Sequence, residues 1–312
     1  MLKSRKFLSP FDGGKAFIFM IAIYLLLSFS IPYLLNLFLE KGSLAYNLIT
    51  STFSIISMLV VFLLYKRNFG YKALELSSIN KFPIFYLGLS LLLSAGMFLG
   101  LGFVNTAFAN GLRLIGLKTS SVNIKITTLS DVILYSIFVA ILPAIMEEVF
   151  FRGLLVNSLK YCKKTFIVLS VGCVFAFYHA NAVQLIYQFI YGILLTALTI
   201  KAKSVIPAII SHFLNNFVVI LFTYLKIDVD FFKGYIIAIG LVLLGLFVLG
   251  IAFSDKITRQ KRIEQATIQP IKWFWMPNGI FALISLSLLV LGGMLWLKLI
   301  LWLLAKWKKN IF

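Results

Sequence analysis

The chain is dominated by apolar runs of about 20 residues, the length an α-helix needs to cross the hydrocarbon core of a bilayer. "AFIFMIAIYLLLSFSIPYLLNLFL" (16–39) is one such run and "YIIAIGLVLLGLFVLGIAF" (235–253) is another. Both are apolar on every face, whereas a membrane β-barrel needs ten-residue segments in which apolar and polar positions alternate. Of the 312 residues 61% are hydrophobic and only 12% charged, which excludes a soluble domain. The expected fold is therefore all-α, a polytopic transmembrane helical bundle of about eight to nine spans.

Nine spans are expected near 16–39, 47–65, 83–105, 131–157, 165–181, 184–200, 204–225, 233–253 and 278–304. The first run is too long for a signal-peptide core and lacks a small-x-small cleavage site, so it reads as a retained span. Three regions follow: N-terminal helices and a polar cap loop (1–130), a core (131–225), and C-terminal helices with a basic juxtamembrane segment (226–312). In that segment Trp273 and Trp275 read as an interfacial anchor.

The net charge of +19 sits in short blocks between the runs, with no basic domain of its own, and so does not point to nucleic acid. It is a topology signal instead. With the N-terminus cytoplasmic, the inner loops carry nineteen Lys and Arg and the outer loops six. A ninth span would put the basic tail "KWKKNIF" outside, against the same rule. Cys162 and Cys173 have no paired spacing and read as structural.

Against this background "MEEVFFRG" (146–153) stands out, because it places Glu147, Glu148 and Arg152 inside an apolar stretch. Ionised groups in hydrocarbon are costly and by default functional, with a partner to be found. The only two histidines, His179 and His212, lie in neighbouring spans, while the remaining acids fall in loops or at span ends. At 1.5 Å per residue, Glu147 lies ~20 Å along its helix from Lys160, His179 ~22 Å from Lys164, and His212 and Asn216 ~13 and ~20 Å from Lys203. Within a turn or two these groups share one depth near the middle of the membrane.

Spacing along each helix fits a common cavity. Glu148 and Arg152 stand at i and i+4 with the acid N-terminal, the better order for an ion pair. Glu147 points ~100° away, free to face the cavity. His212 with Asn216, and Phe175 with His179, repeat the i, i+4 spacing. Pro143 removes a backbone hydrogen bond one turn before Glu147 and could kink the helix there. These residues leave open a catalytic cluster, a polar network that holds helices together, a zinc site of Glu147, His179 and His212, and a proton relay. The relay lacks the repeated halves and broken helices of a transporter, and the zinc reading lacks an HExxH motif.

"EEVFFR" (Glu147, Glu148, Arg152), "FAFYH" (Phe175, His179) and "HFLNN" (His212, Asn216) resemble, in order, the three motifs of the CPBP or Abi family of intramembrane endopeptidases. That family of CAAX proteases and bacteriocin-processing proteins includes the type II CAAX prenyl endopeptidases. The resemblance covers roughly residues 130–220. It implies a hydrolase in which Glu147 and His179 activate a water, His212 and Asn216 stabilise the oxyanion, Glu148 and Arg152 shape the first motif, and Phe175 packs beneath His179.

A carboxylate in an apolar cavity is a competent general base, so no cofactor is expected, with zinc as the alternative. The expected substrate is a membrane-embedded or membrane-delivered peptide or protein. The alternative function is a non-catalytic membrane scaffold or immunity protein that binds a partner such as a cell-wall enzyme or a bacteriocin system component. Lysine outnumbers arginine 23 to 6, a leaning of AT-rich genomes, so the expected location is a bacterial cell membrane with the lipid bilayer as its surroundings.

Overall fold

The computed structural model describes residues 8–114, 126–231, 233–258 and 274. Eight main helices order the chain: α1 (Pro10–Leu35), α2 (Leu44–Phe69), α3 (Phe85–Leu114), α4 (Leu129–Ser158), α5 (Lys164–Tyr178), α6 (Leu185–Ala202), α7 (Ile206–Leu225) and α8 (Gly234–Ile257). All but α5 are long and apolar enough to cross a membrane, which makes seven candidate spans among the described residues. No strand occurs among the described residues. The expected span 278–304, the tail from Lys306, Trp273, Trp275 and the middle of the cap loop (115–125) lie outside the described residues.

Helix starts follow from local chemistry. Ser9 and Asp12 form a reciprocal capping box at α1, and Thr128 and Asp131 form one at α4. The first box explains why α1 begins six residues earlier than the apolar run suggests: the polar "SPFD" is a helix start, not a loop. Helix α2 ends at Gly70, whose φ of 69° is the left-handed conformation favoured there.

The segment expected to span at 165–181 is shorter in the structure. Helix α5 has 15 residues, or ~22 Å at 1.5 Å each, against ~30 Å of hydrocarbon. It stops because Ala180 turns to a φ of 48° and the Asn181 side chain accepts a hydrogen bond from the Val183 amide at 3.0 Å, starting a new turn. Thus His179 sits at a helix end and not within a span.

The surface and interior are partitioned as a bilayer demands. Phe29, Tyr33, Phe38, Val242 and Leu249 face outward, while Glu147, Glu148, Arg152 and His212 are buried. Helix α4 is the hub, packed against α1, α2, α5 and α7, while α3 packs along α6, α7 and α8. Hydrogen bonds gather the basic loops at one end of the bundle. Asn157 Nδ2 donates to Ser78 Oγ at 2.9 Å, Asn80 Nδ2 to the Lys203 carbonyl at 2.9 Å, and Lys201 pairs with Asp255 at 2.8 Å.

Two helix pairs approach at backbone distance through glycine. In the α5–α6 hairpin a Cβ on Gly192 would stand 2.9 Å from the Cα of Gly172, and in the α3–α8 pair a Cβ on Gly240 would fall on the backbone of Gly100. Close contact of small residues is how apolar helices gain packing when lipid is as oily as their own side chains. We expect Gly240→Leu to lower stability by about 1–3 kcal/mol or more through overpacking. Gly245→Leu, which meets nothing within 4 Å, serves as the control. Thermal unfolding of both variants in the same detergent measures the difference.

Candidate active site

Glu147 and Glu148 lie on the regular stretch Leu142–Glu148 of α4, flanked by two π-helical turns, Ser136–Ile141 and Val149–Leu155. Such turns concentrate at functional sites because the extra residue re-aims side chains. Pro143 sits directly after the first, where the looser hydrogen bonding tolerates its missing N–H. Arg152 lies within the second.

The two glutamates face different partners. Glu148 Oε1 accepts hydrogen bonds from Arg152 Nη1 and from His212 Nδ1, each at 2.8 Å. Arg152 Nη2 donates to the Gly192 carbonyl on α6 at 3.2 Å. The side chains of Glu148 and Arg152 are 0% exposed, so this is a fully desolvated, charge-assisted network. It joins α4, α6 and α7.

Glu147 is left for the cavity. Its Oε2 lies 3.8 Å from His212 Nε2 and 3.9 Å from His179 Nε2. Both separations are too long for a direct hydrogen bond and suit one small molecule held between the three atoms. Oε2 is buried with no hydrogen-bond partner.

The tautomers follow from the outer ring nitrogens. His179 Nδ1 donates to the Phe175 carbonyl at 2.8 Å and His212 Nδ1 donates to Glu148, so in each neutral ring the lone pair is on Nε2 and faces Glu147. Phe175 packs between the groups, its ring centroid 4.7 Å from that of His179 and 5.9 Å from that of His212, with the Arg152 guanidinium 4.2 Å over its face.

The structure therefore brings Glu147, Glu148, Arg152, Phe175, His179 and His212 into one cluster. Asn216 lies one turn beyond His212 and donates through Nδ2 to the Val139 carbonyl in the first π turn at 3.4 Å. One of its two amide hydrogens remains for another acceptor. Among the described residues no group of three or more His, Cys, Asp or Glu side chains is arranged as a metal site.

Three participants had no signal that the sequence reading used. The Tyr178 ring meets that of His179 edge-on, 5.3 Å between centroids. Tyr191 shares a hydrogen bond with Ser211 at 3.1 Å and lays its ring beside His212, 6.0 Å between centroids. Tyr187 donates to Asn215 at 2.7 Å, so of the adjacent asparagines this one is tied to α6. Tyrosines in aromatic-rich spans look like ordinary packing, and only the neighbour across the helix contact reveals the difference.

Removing one partner of a buried pair leaves the other charge unpaired, at a cost of about 3–5 kcal/mol. Arg152→Met should therefore unfold readily in detergent. Arg152→Met with Glu148→Gln should recover part of that loss, and a double-mutant cycle of thermal midpoints measures the coupling.

With this geometry in place, comparison with known proteins gives one relation. Residues 129–218 match the family model described as Type II CAAX prenyl endopeptidase Rce1-like. The matched segment runs from the start of α4 into α7 and contains Glu147, Glu148, Arg152, Phe175, His179, His212 and Asn216. No curated protein and no solved structure matches the chain.

Proposed function

We propose, from the premise that the core of this chain belongs to the Rce1-like group of CAAX proteases, that the protein is an intramembrane endopeptidase. It would hydrolyse a peptide bond of a membrane-embedded or membrane-delivered peptide or protein. The observation that carries the reading is the convergence of His179 Nε2 and His212 Nε2 on the unpartnered Oε2 of Glu147.

In the proposed reaction a water seated between these atoms gives a proton to Glu147 while its oxygen attacks the scissile carbonyl. His179 orients that water through Nε2, its ring fixed by the Phe175 carbonyl. As charge develops on the carbonyl oxygen, His212 in its protonated form donates from Nε2, and Asn216 donates its remaining amide hydrogen. The proton on Glu147 then passes to the leaving amine as the C–N bond breaks, so the glutamate is restored. Glu148 and Arg152 act earlier in the chain of causes: they hold the His212 ring with Nδ1–H outward and Nε2 toward the substrate.

This reaction needs no metal, and insensitivity to chelators is its expected mark. We further propose a bacterial cell membrane as the location, with the N-terminus cytoplasmic. The basic loops at 70–84, 159–163 and 203–205 would then lie on the cytoplasmic side, in keeping with the lysine bias.

The test is complementation of a deletion strain by wild type, Glu147→Gln, His179→Ala and Asn216→Ala at matched expression, combined with peptide mapping of membrane proteins. Loss of the general base should slow cleavage by about 10²–10⁴-fold. Loss of the Asn216 donor should cost about 10²-fold. Full rescue and unchanged peptide maps with Glu147→Gln and His179→Ala would place the chain among membrane scaffolds.

A further inference from the structure

At the lysine-bearing end of the bundle a cavity of about 160 Å³ opens between α4, α5 and α6, with Val156, Ile167 and Ile200 as its apolar walls. Arg152, Lys160, Lys164, Thr199, Lys203 and Ser78 line it, and no acid is among the described residues that do so. Two buried groups there lack an acceptor or donor: Arg152 Nε and Thr199 Oγ1 have no hydrogen-bond partner, although Arg152 is 0% and Thr199 4% exposed. The other two nitrogens of Arg152 each donate, to Glu148 and to the Gly192 carbonyl, so Nε is its one nitrogen without a partner. A buried donor without an acceptor carries its full desolvation cost, and the exposed ammonium groups of Lys164 and Lys203 add positive charge at the rim.

We infer that this cavity binds a phosphate group. A phosphate offers several acceptor oxygens, enough for the Arg152 Nε–H, the Thr199 hydroxyl and the lysines together, which a single carboxylate does not. The cavity lies at the end of α4, the start of α5 and the end of α6, the level at which lipid headgroups meet membrane-spanning helices. The N-terminus of the 15-residue α5 adds its positive dipole end. The rim is held in place: the Asn80 amide fixes the Lys203 carbonyl at 2.9 Å, and the Val205 amide donates to the Ser78 carbonyl at 3.1 Å. Lys164 and Lys203 are exposed at the rim and Lys160 is half-buried. The inference is independent of peptide cleavage, since the cavity is separate from Glu147 and the two Nε2 atoms.

The full-length protein in a zwitterionic detergent can be offered phosphatidylglycerol, phosphatidylcholine or inorganic phosphate. Native mass spectrometry then reads retained lipid, and thermal unfolding reads the effect of free phosphate. We expect preferential retention of phosphatidylglycerol, reduced by about tenfold or more in Lys160→Gln with Lys203→Gln. Thr199→Val, nearly isosteric and charge-neutral, should lower it several-fold while preserving the fold. Lys226→Gln with Lys233→Gln, at the other end of the bundle, should retain lipid like wild type. Stabilisation and competition by inorganic phosphate would identify free phosphate as a sufficient source, and their absence alongside lipid retention would identify the headgroup. Equal retention in the cavity and control variants, or no response to either lipid or phosphate, overturns the inference.

Discussion

A single carboxylate oxygen, Oε1 of Glu148, holds the core together. It accepts from Arg152 within α4 and from His212 on α7, both at 2.8 Å, and Arg152 reaches on to the Gly192 carbonyl on α6. In an interior with no water, each of these groups would be expensive alone. The three helices are therefore constrained to the one arrangement in which all are paired. The arrangement also has a chemical consequence. Because His212 spends Nδ1–H on Glu148, its other nitrogen is turned toward Glu147, and Glu147 is the one acid of the pair left without a salt bridge to arginine.

Charge counting sharpens this. Two carboxylates face one permanent cation, so the cluster is neutral only when it holds one further proton, shared among Glu147, His179 and His212. In the proposed hydrolysis that proton rests on His212, while the proton that moves is the water's, taken by Glu147 and passed to the leaving amine. A water placed between Glu147 Oε2 and the two Nε2 atoms would meet acceptors alone when both rings are neutral, and a donor as well once His212 is protonated. On the proposed reading, base and oxyanion donor are thus separate atoms of one cluster, and neither role requires the helices to rearrange.

Much of this was legible in the sequence because it is written in rare side chains. Two histidines, a pair of adjacent glutamates and one arginine stand out in otherwise apolar runs, and the i, i+4 spacing of Glu148 and Arg152 anticipated their ion pair. What was not legible belongs to the backbone or to contacts across helices. The π turns at Ser136–Ile141 and Val149–Leu155 leave no mark in an apolar run. The early stop of α5 depends on Ala180 taking a φ of 48°, which an alanine does not advertise. The Gly192 carbonyl that receives Arg152 has no side chain to read, and the glycine pair Gly172 and Gly192 gains meaning only once α5 and α6 are set against each other.

The early stop of α5 also decides the direction from which the site can be reached. Exposure falls in steps across the cluster: the side chain of His179 is 17% exposed, Glu147 9%, His212 5%, and Glu148 and Arg152 0%. A full-length α5 would have carried His179 inside a continuous span, with helix above and below it. Ending at Tyr178, the helix leaves His179 at its C-terminal end, the most exposed side chain of the cluster. At its most buried end stands Arg152, which lines the basic cavity and donates to Gly192 and Glu148. On the proposed reading, a peptide bond would approach Glu147 from the side of His179, before it meets any group of the buried network. The Glu148–Arg152 pair can stay dry throughout, which is the condition under which its hold on His212 is strongest.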